Sequence, residues 1–396
     1  MEFLDRVEEK QRLDGFLCSE MKILFVCPTD PRETSYGGQQ RTHVLWRGLR
    51  TVGDVRTVVP VPHKWQEERD EQNHIYKVCL ERRYSIGWFF QRLASRLFPQ
   101  VSFPLGLKAV LPRDIPIPDV CVARTLWVAA RFGMWRMAPL FVDVDDTPTV
   151  DFSLANPHKR FKRWLLQKWQ NWICAKAKVL WVPDPDQIEG LRPFRATHLP
   201  NIPIGEIAPV DRSKVDPNRL LFLGYLAHQP NIVAVDWFLE NFWVELKRRF
   251  PSLVLDFIGG GLPTNYAAKW SSYRDAVVHG FVQDVVPFFE RSLALITPMR
   301  IGSGTCIKVL ESLARGVPVI STDQGLRGIF KSERTASNGI FSFCNISDLR
   351  KAIEDCAREQ SGDCKAEFIA NGFTQEVVND ILRSSFGRDW ADRELI

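Results

Sequence analysis

The sequence predicts an α/β chain built from two doubly wound, Rossmann-like domains, and three observations carry that prediction. Its 396 residues are too many for one ordinary core and suit two. Residues 22–59 and 293–321 share one pattern: an apolar run, a glycine loop, an amphipathic helical stretch and a second apolar run. Between them, 206–218 is rich in proline and charge and reads as a linker. The expected divisions are an extension at 1–20, a first domain at 21–205, the linker, a second domain at 219–375 and a terminal helix at 376–396.

Composition narrows the function classes. Hydrophobic residues make up 45% and charged residues 25%, as in soluble globular proteins. The net charge of +5 suits a polyanionic ligand or a membrane surface and does not require nucleic acid, which is not expected as a partner. Nine cysteines include no C-x-x-C pair and no metal-type spacing with histidine, and no secretory signal is evident, which points to the cytoplasm. No apolar run reaches the ~18 residues that span a bilayer, so any membrane contact is expected to be peripheral, at the inner face.

Taken in order, residues 1–20 are polar and read as a short amphipathic helix. Met21, directly before the first strong strand, is favoured as the functional start. Strand 22–27 leads through a loop holding Gly37 and Gly38 to a helix marked by Val44, Leu45 and Leu49, then to strand 55–59. Arg41 and His43 lie just inside that helix and can be solvated or face a ligand. Residues 77–112 mix arginine with tryptophan, phenylalanine and leucine. A domain helix with snorkelling arginines is favoured there over a helix lying on anionic lipid. Strands 120–123 and 140–144 follow, the second running into D-V-D-D-T-P-T. Asp143, Asp145 and Asp146 thus stand at a strand's carboxyl end, where this architecture binds ligands. They resemble metal ligands, but no histidine or fourth oxygen donor is close in sequence, and a helix N-cap accounts for one of them at most. The helix at 160–174 is basic and aromatic, with most of its tryptophans expected in the core, and strand 179–182 closes the domain.

The second domain opens with strand 219–223, ending at Gly224, then a helix at 232–250 and a strand at 253–258 that ends in three glycines. Strand 293–297 runs into R-I-G-S-G-T-C-I-K-V-L-E, residues 300–311. Gly302, Ser303 and Gly304 form a turn poor in side chains, Thr305 is the expected N-cap, and Gly316 the helix stop before strand 317–321. Ile307, Leu310, Leu313 and Ala314 are expected on the sheet, and Lys308, Glu311 and Arg315 on the open face. Arg300, the glycine loop, Thr305 and Lys308 then converge on one diphosphate, with Glu311 one turn deeper. A helix terminus stabilises an anion by only ~0.3–1 kcal/mol, up to ~2 when partly buried. Charge-assisted hydrogen bonds add roughly 1.5–3 kcal/mol each, so Arg300 and Lys308 dominate. The competing reading is an ordinary βαβ crossover with a Lys308–Glu311 surface pair. A further strand at 340–343 and two helical patterns complete the chain.

The run at 300–311, continued by G-V-P-V-I-S-T at 316–322, resembles the donor site of GT-B glycosyltransferases of the large family-4-like (group 1) type. The resemblance implies two domains facing across a cleft, the first on the acceptor side and the second holding a nucleotide-diphospho-sugar co-substrate, with the last helix crossing back. It implies transfer to a saccharide or lipid-linked acceptor, as in polysaccharide biosynthesis, with retention of configuration and no metal or other cofactor. By that resemblance Arg300 and Lys308 carry the catalytic charge, and Asp145 and Asp146 meet the acceptor or handle its proton. Gly37, Gly38, Gly224, Gly302, Ser303, Gly304, Thr305 and Glu311 bind the donor, Glu311 through the ribose. Two departures stand out: Ser303 replaces the first of two family glutamates, and Cys306 a basic residue. A nucleotide-sugar epimerase and a degenerate binding or scaffold subunit remain alternatives. A dinucleotide oxidoreductase does not fit, because no G-x-G-x-x-G follows the first strand.

Overall fold

The computed structural model describes residues 21–35, 37–61, 68–79, 115–145, 157–205, 207–302, 304–358, 369 and 372–391. The extension at 1–20, nearly all of the aromatic-basic stretch at 77–112, Asp146 and Ser303 lie outside them. The chain divides into two compact units, Met1–Leu199 with Gln375–Ile396, and Pro200–Thr374.

In the first unit β1 (Lys22–Val26), α1 (Gly37–Arg50), β2 (Asp54–Val61), β3 (Glu68–Asp70) and β4 (Ile75–Cys79) lead to β5 (Val120–Arg124) and α2 (Leu126–Phe132). There follow β6 (Leu140–Asp143), α3 (Pro157–Cys174), β7 (Ala177–Val182), α4 (Gln187–Gly190) and β8 (Ala196–His198). The sheet order is β3-β4-β2-β1-β5-β6-β7-β8, with only the β3–β4 pair antiparallel. β1 and β5–β7 are almost continuous apolar runs because helices cover both faces of a parallel sheet. β3, β4 and β8 were not legible: E-R-D and A-T-H are three-residue edge strands without an apolar face.

The terminal helix, numbered last below, packs on this unit. Its Leu382 faces Gly48 of α1, where a Cβ would lie 2.6 Å from the leucine Cδ1. Phe386 packs edge-on against Phe141 and Trp181 at ring separations of 4.6 and 5.8 Å, and the Trp181 indole N–H donates to Ser385 Oγ at 3.1 Å.

The second unit runs β9 (Asp216–Leu223), α5 (Gln229–Phe238), a π turn (Leu239–Trp243), α6 (Val244–Arg249), β10 (Val254–Ile258), α7 (Thr264–Ser271) and β11 (Ala276–Gly280). It continues through α8 (Val286–Arg291), β12 (Ser292–Thr297), α9 (Ile307–Ala314), β13 (Val319–Ser321), β14 (Ile340–Ser342) and α10 (Ile346–Arg358). The terminal helix is α11 (Gln375–Ala391). All strands are parallel, in the order β11-β10-β9-β12-β13-β14. The single helix expected at 232–250 is therefore interrupted by the π turn, whose Phe242 and Trp243 are buried.

The stretch read as a linker, 206–218, corrects to a built part of this unit. Val210 N–H donates to Arg315 O at 3.0 Å, and Arg212 donates to the carbonyls of Phe289, Ser292 and Leu293 at 2.8–3.3 Å. β9 itself begins at Asp216. Proline and charge suggested an exposed connection there, but Arg212 is spent on the carbonyls of α8 and β12.

Candidate functional site

The chain order of the second sheet reverses between β9 and β12, and ligands of such sheets bind outside the carboxyl ends of the strands at that point. Gly224 ends β9, Gly259 ends β10, and residues 298–306 leave β12. Gly224 and Gly259 have φ of 152° and 143°. A Cβ on Gly259 would lie 1.6 Å from the Gly224 carbonyl oxygen, so the two strand ends meet only because neither carries a side chain.

Lys308 occupies this edge. Its Nζ donates to Asn231 Oδ1 at 2.9 Å and stands 4.3 Å from the centre of the Phe222 ring. A Cβ on Gly224 would lie 2.9 Å from that Nζ, which puts the ammonium directly under the strand-end backbone. Asn231 is buried and held by donating to Tyr225 O at 2.8 Å. Burial lowers the Lys308 pKa below its ordinary 10.5; Cys306, next in size, opposes it, and the Arg327 charge nearby adds to the lowering. Among the described residues Lys308 has neutral partners and no carboxylate.

The glycine loop is braced from behind. Arg327 donates from Nε to Gly304 O at 2.9 Å and also to Gln324 O, while Gln324 Nε2 donates to Gly302 O at 3.0 Å. Gly328 packs on Thr305, whose Oγ1 would lie 2.2 Å from any Cβ placed there. Carbonyls of the loop are thus used by the segment after β13. Sequence reasoning passed over Asn231 and Arg327. An asparagine near the start of a helix and an arginine between two glycines carry no signal by themselves.

Several expectations need correction. α9 begins at Ile307 with Cys306 at its cap position and no side-chain cap bond, so Thr305 is not the N-cap. Its buried residues are Val309, Leu310, Ser312 and Leu313, a face turned from the expected one, because Ser312 Oγ donates to Val317 O inside the core. The helix stop is as expected: Gly316 N–H bonds Leu313 O and Val317 N–H bonds Ser312 O, both at 2.9 Å. Glu311 pairs with Arg315 at 3.0 Å instead of with Lys308. Arg300 is exposed and lies over the Trp237 ring at 4.5 Å. The structure therefore assembles Lys308, Gly224, Asn231 and Arg327 with the loop, and sets Arg300 on an aromatic shelf.

In the first unit the order reverses between β1 and β5. Gly37 and Gly38 form the first turn of α1, and the Gly38 carbonyl accepts from Thr42 Oγ1 at 3.0 Å. Deeper, Arg41 is buried and donates from Nε to both Asp143 oxygens at 3.0 Å, with its Nη2 closing the pair, and from Nη1 to Leu199 O at 3.0 Å. Arg124 reaches Asp143 at 3.0 Å and Asp145 at 2.6 Å. Asp143 is fully buried, so it is a structural carboxylate between two guanidiniums, neither a cap nor an open ligand. Asp145 is 17% exposed and keeps an accessible edge. Among the described residues no group of three or more histidine, cysteine or carboxylate side chains is arranged to hold a metal ion. His43 donates from Nδ1 to Pro31 O at 2.8 Å, an ordinary loop contact.

Residues 217–359 match the family model described as glycosyl transferases group 1. No curated protein matches the chain. Among solved structures, Anabaena Alr3699/HepE in complex with UDP is similar at 12% identity and a TM-score of 0.60, over 93% of this chain and 100% of that one. Trehalose-6-phosphate from E. coli bound with UDP-2-fluoro glucose gives 11%, 0.58, 92% and 99%. TarM gives 13% and 0.52 over 67% of this chain, which spans about half (54%) of TarM. These likenesses establish the fold as GT-B.

Proposed function

We propose that this chain, whose residues 217–359 match the glycosyl transferases group 1 model and whose fold is GT-B, moves a sugar from a nucleotide-diphospho-sugar to a saccharide or lipid-linked acceptor, with retention and without a metal. The observation that carries this reading is Lys308, an ammonium without a carboxylate partner among the described residues, under the Gly224 strand end at the switch point. An anion is the partner such a group lacks.

Departure of a nucleoside diphosphate builds charge on its terminal phosphate. A fixed cation and the N–H groups opening α9 favour that charge more in the transition state than before it. Lys308 supplies the cation, Arg300 a second one able to swing from Trp237, and Arg327 keeps the loop carbonyls turned away from the phosphate. Gly302, Ser303, Gly304 and Thr305 let the backbone approach, and Glu311 accepts from the ribose hydroxyls once its bond to Arg315 is shared. Asp145, paired with Arg124, accepts a hydrogen bond from the acceptor hydroxyl, with Asp146 beside it in sequence.

Uridine nucleotides are the first donors to test, because HepE and the E. coli structure are named with UDP and UDP-2-fluoro glucose. The decisive assay incubates the protein with a panel of nucleotide sugars, with and without saccharide acceptors, in EDTA. Acceptor-dependent nucleotide release supports transfer. Conversion of the donor with no acceptor present means an epimerase, and binding without turnover means a scaffold subunit.

A further inference from the structure

α3 carries an unusual surface. Its sequence, P-H-K-R-F-K-R-W-L-L-Q-K-W-Q-N-W-I-C, holds five lysines and arginines and no acidic residue. Leu166, Trp169 and Ile173 are buried against the sheet, at the 3-4 spacing of a core-facing stripe. Trp164, Lys168 and Trp172, spaced four apart, form a second stripe that faces out: Trp164 is 53% and Trp172 39% exposed. The tryptophans expected in the core thus divide, and only Trp169 is buried.

The exposed stripe is reinforced. Lys168 Nζ lies 5.9 Å from the Trp164 ring, Trp172 meets Trp135 edge-on at 5.4 Å, and the exposed Arg136 lies over Trp135 at 5.9 Å. Lys176 and Lys178, just beyond the helix, are exposed as well. A core helix that only needs solubility would carry carboxylates on its outer face and no large indoles. Indoles with an apolar body and a polar N–H, interleaved with lysine and arginine, match the boundary between anionic headgroups and acyl chains.

From this we infer that the outer face of α3 docks the first unit on an anionic lipid surface, Trp164 and Trp172 entering the headgroup layer while Lys168, Lys176, Lys178 and Arg136 meet the phosphates. Charge selects the occupant. A face with this cation excess repels a second copy of itself, and a neutral apolar partner would leave the lysines without anions. No helix among the described residues is long and apolar enough to cross a membrane. The inference does not depend on the sugar-transfer reading, since it rests on α3 alone.

The test is flotation of the full chain with phosphatidylcholine vesicles containing about 30% phosphatidylglycerol, alongside phosphatidylcholine alone, at low and at about 0.5 M salt. The chain is expected to float with the anionic vesicles, to be released by salt, and to ignore the neutral ones. Trp164→Ser and Lys168→Glu alter exposed side chains and should each lower partitioning several-fold, and together about tenfold or more. Circular dichroism and UDP titration of the same variants report whether each remains folded. Absence of wild-type binding to anionic vesicles, or equal binding by the double variant, overturns the inference. So does loss of self-association on Trp164→Ser with vesicle binding unchanged, which would make the face a protein interface.

Discussion

The two parallel sheets reverse chain order in the same way but treat charge at the reversal in opposite ways. In the first unit Arg41 and Arg124 are neutralised within the protein by Asp143 and Asp145. In the second, Lys308 is given an amide, an aromatic ring and a glycine strand end, and no carboxylate among the described residues. Both arrangements cost desolvation. Only the first recovers it inside the folded chain, which marks it as structural; the proposed function gives the second an anion.

Breaking the self-contained cluster should therefore affect stability most. Asp143→Ala removes the carboxylate shared by two buried guanidiniums, leaving Asp145 to both, and is expected to cost about 3–5 kcal/mol, read by chemical denaturation. Asp143→Asn, which keeps two polar atoms, should cost less. If both variants unfold at the wild-type midpoint, the cluster is not what holds the ends of β5 and β6.

Lys308→Ala should leave the fold intact and lower turnover by about two to three orders of magnitude, by analogy with loss of one preorganised oxyanion donor. Arg300→Ala, on its exposed shelf, should lower it about tenfold, roughly one charged hydrogen bond formed part of the time. The reverse ranking would move the catalytic cation to Arg300. Glu311→Gln should raise KM for the donor with little change in kcat, since a ribose contact is present before and during reaction.

A smaller effect separates the units by pH. Burial is the main cause that pushes His198, in the first unit, down to about 4 from 6.5, helped by the Arg41 charge and opposed by a hydrogen bond to the Pro183 backbone. Below 6.5 the unfolded chain takes up a proton that the folded one refuses, so stability falls between about 6.5 and 4. His198→Gln should flatten that part of the profile, seen by thermal melting across the range. In the second unit the matching expectation is alkaline: nucleotide affinity falls as pH rises through the lowered Lys308 pKa, starting below 10.5.

The parallel core was legible because buried parallel strands are uninterrupted apolar runs, and the glycine loop because a strand end, glycines and a helix start coincide. What escaped reading depended on contacts far apart in sequence. Asp143 looked like a ligand until Arg41, 102 residues away, was found on it. Arg327 reaches a loop 23 residues earlier, and Asn231 a lysine 77 residues later. The frame of α9 was misjudged for a local reason: eight residues allow a serine to be buried if its hydroxyl finds a carbonyl, as Ser312 does. Short polar edge strands such as β3 carry no pattern to read.

The most direct test of the account is a calorimetric titration of UDP, in EDTA, into wild-type protein and into Lys308→Ala. An ammonium supplied with neutral partners should contribute one charge-assisted contact to the diphosphate, so the variant is expected to bind roughly tenfold to a hundredfold more weakly while uridine alone binds both equally. Equal UDP affinity in the two proteins would contradict the assignment of Lys308 to the diphosphate.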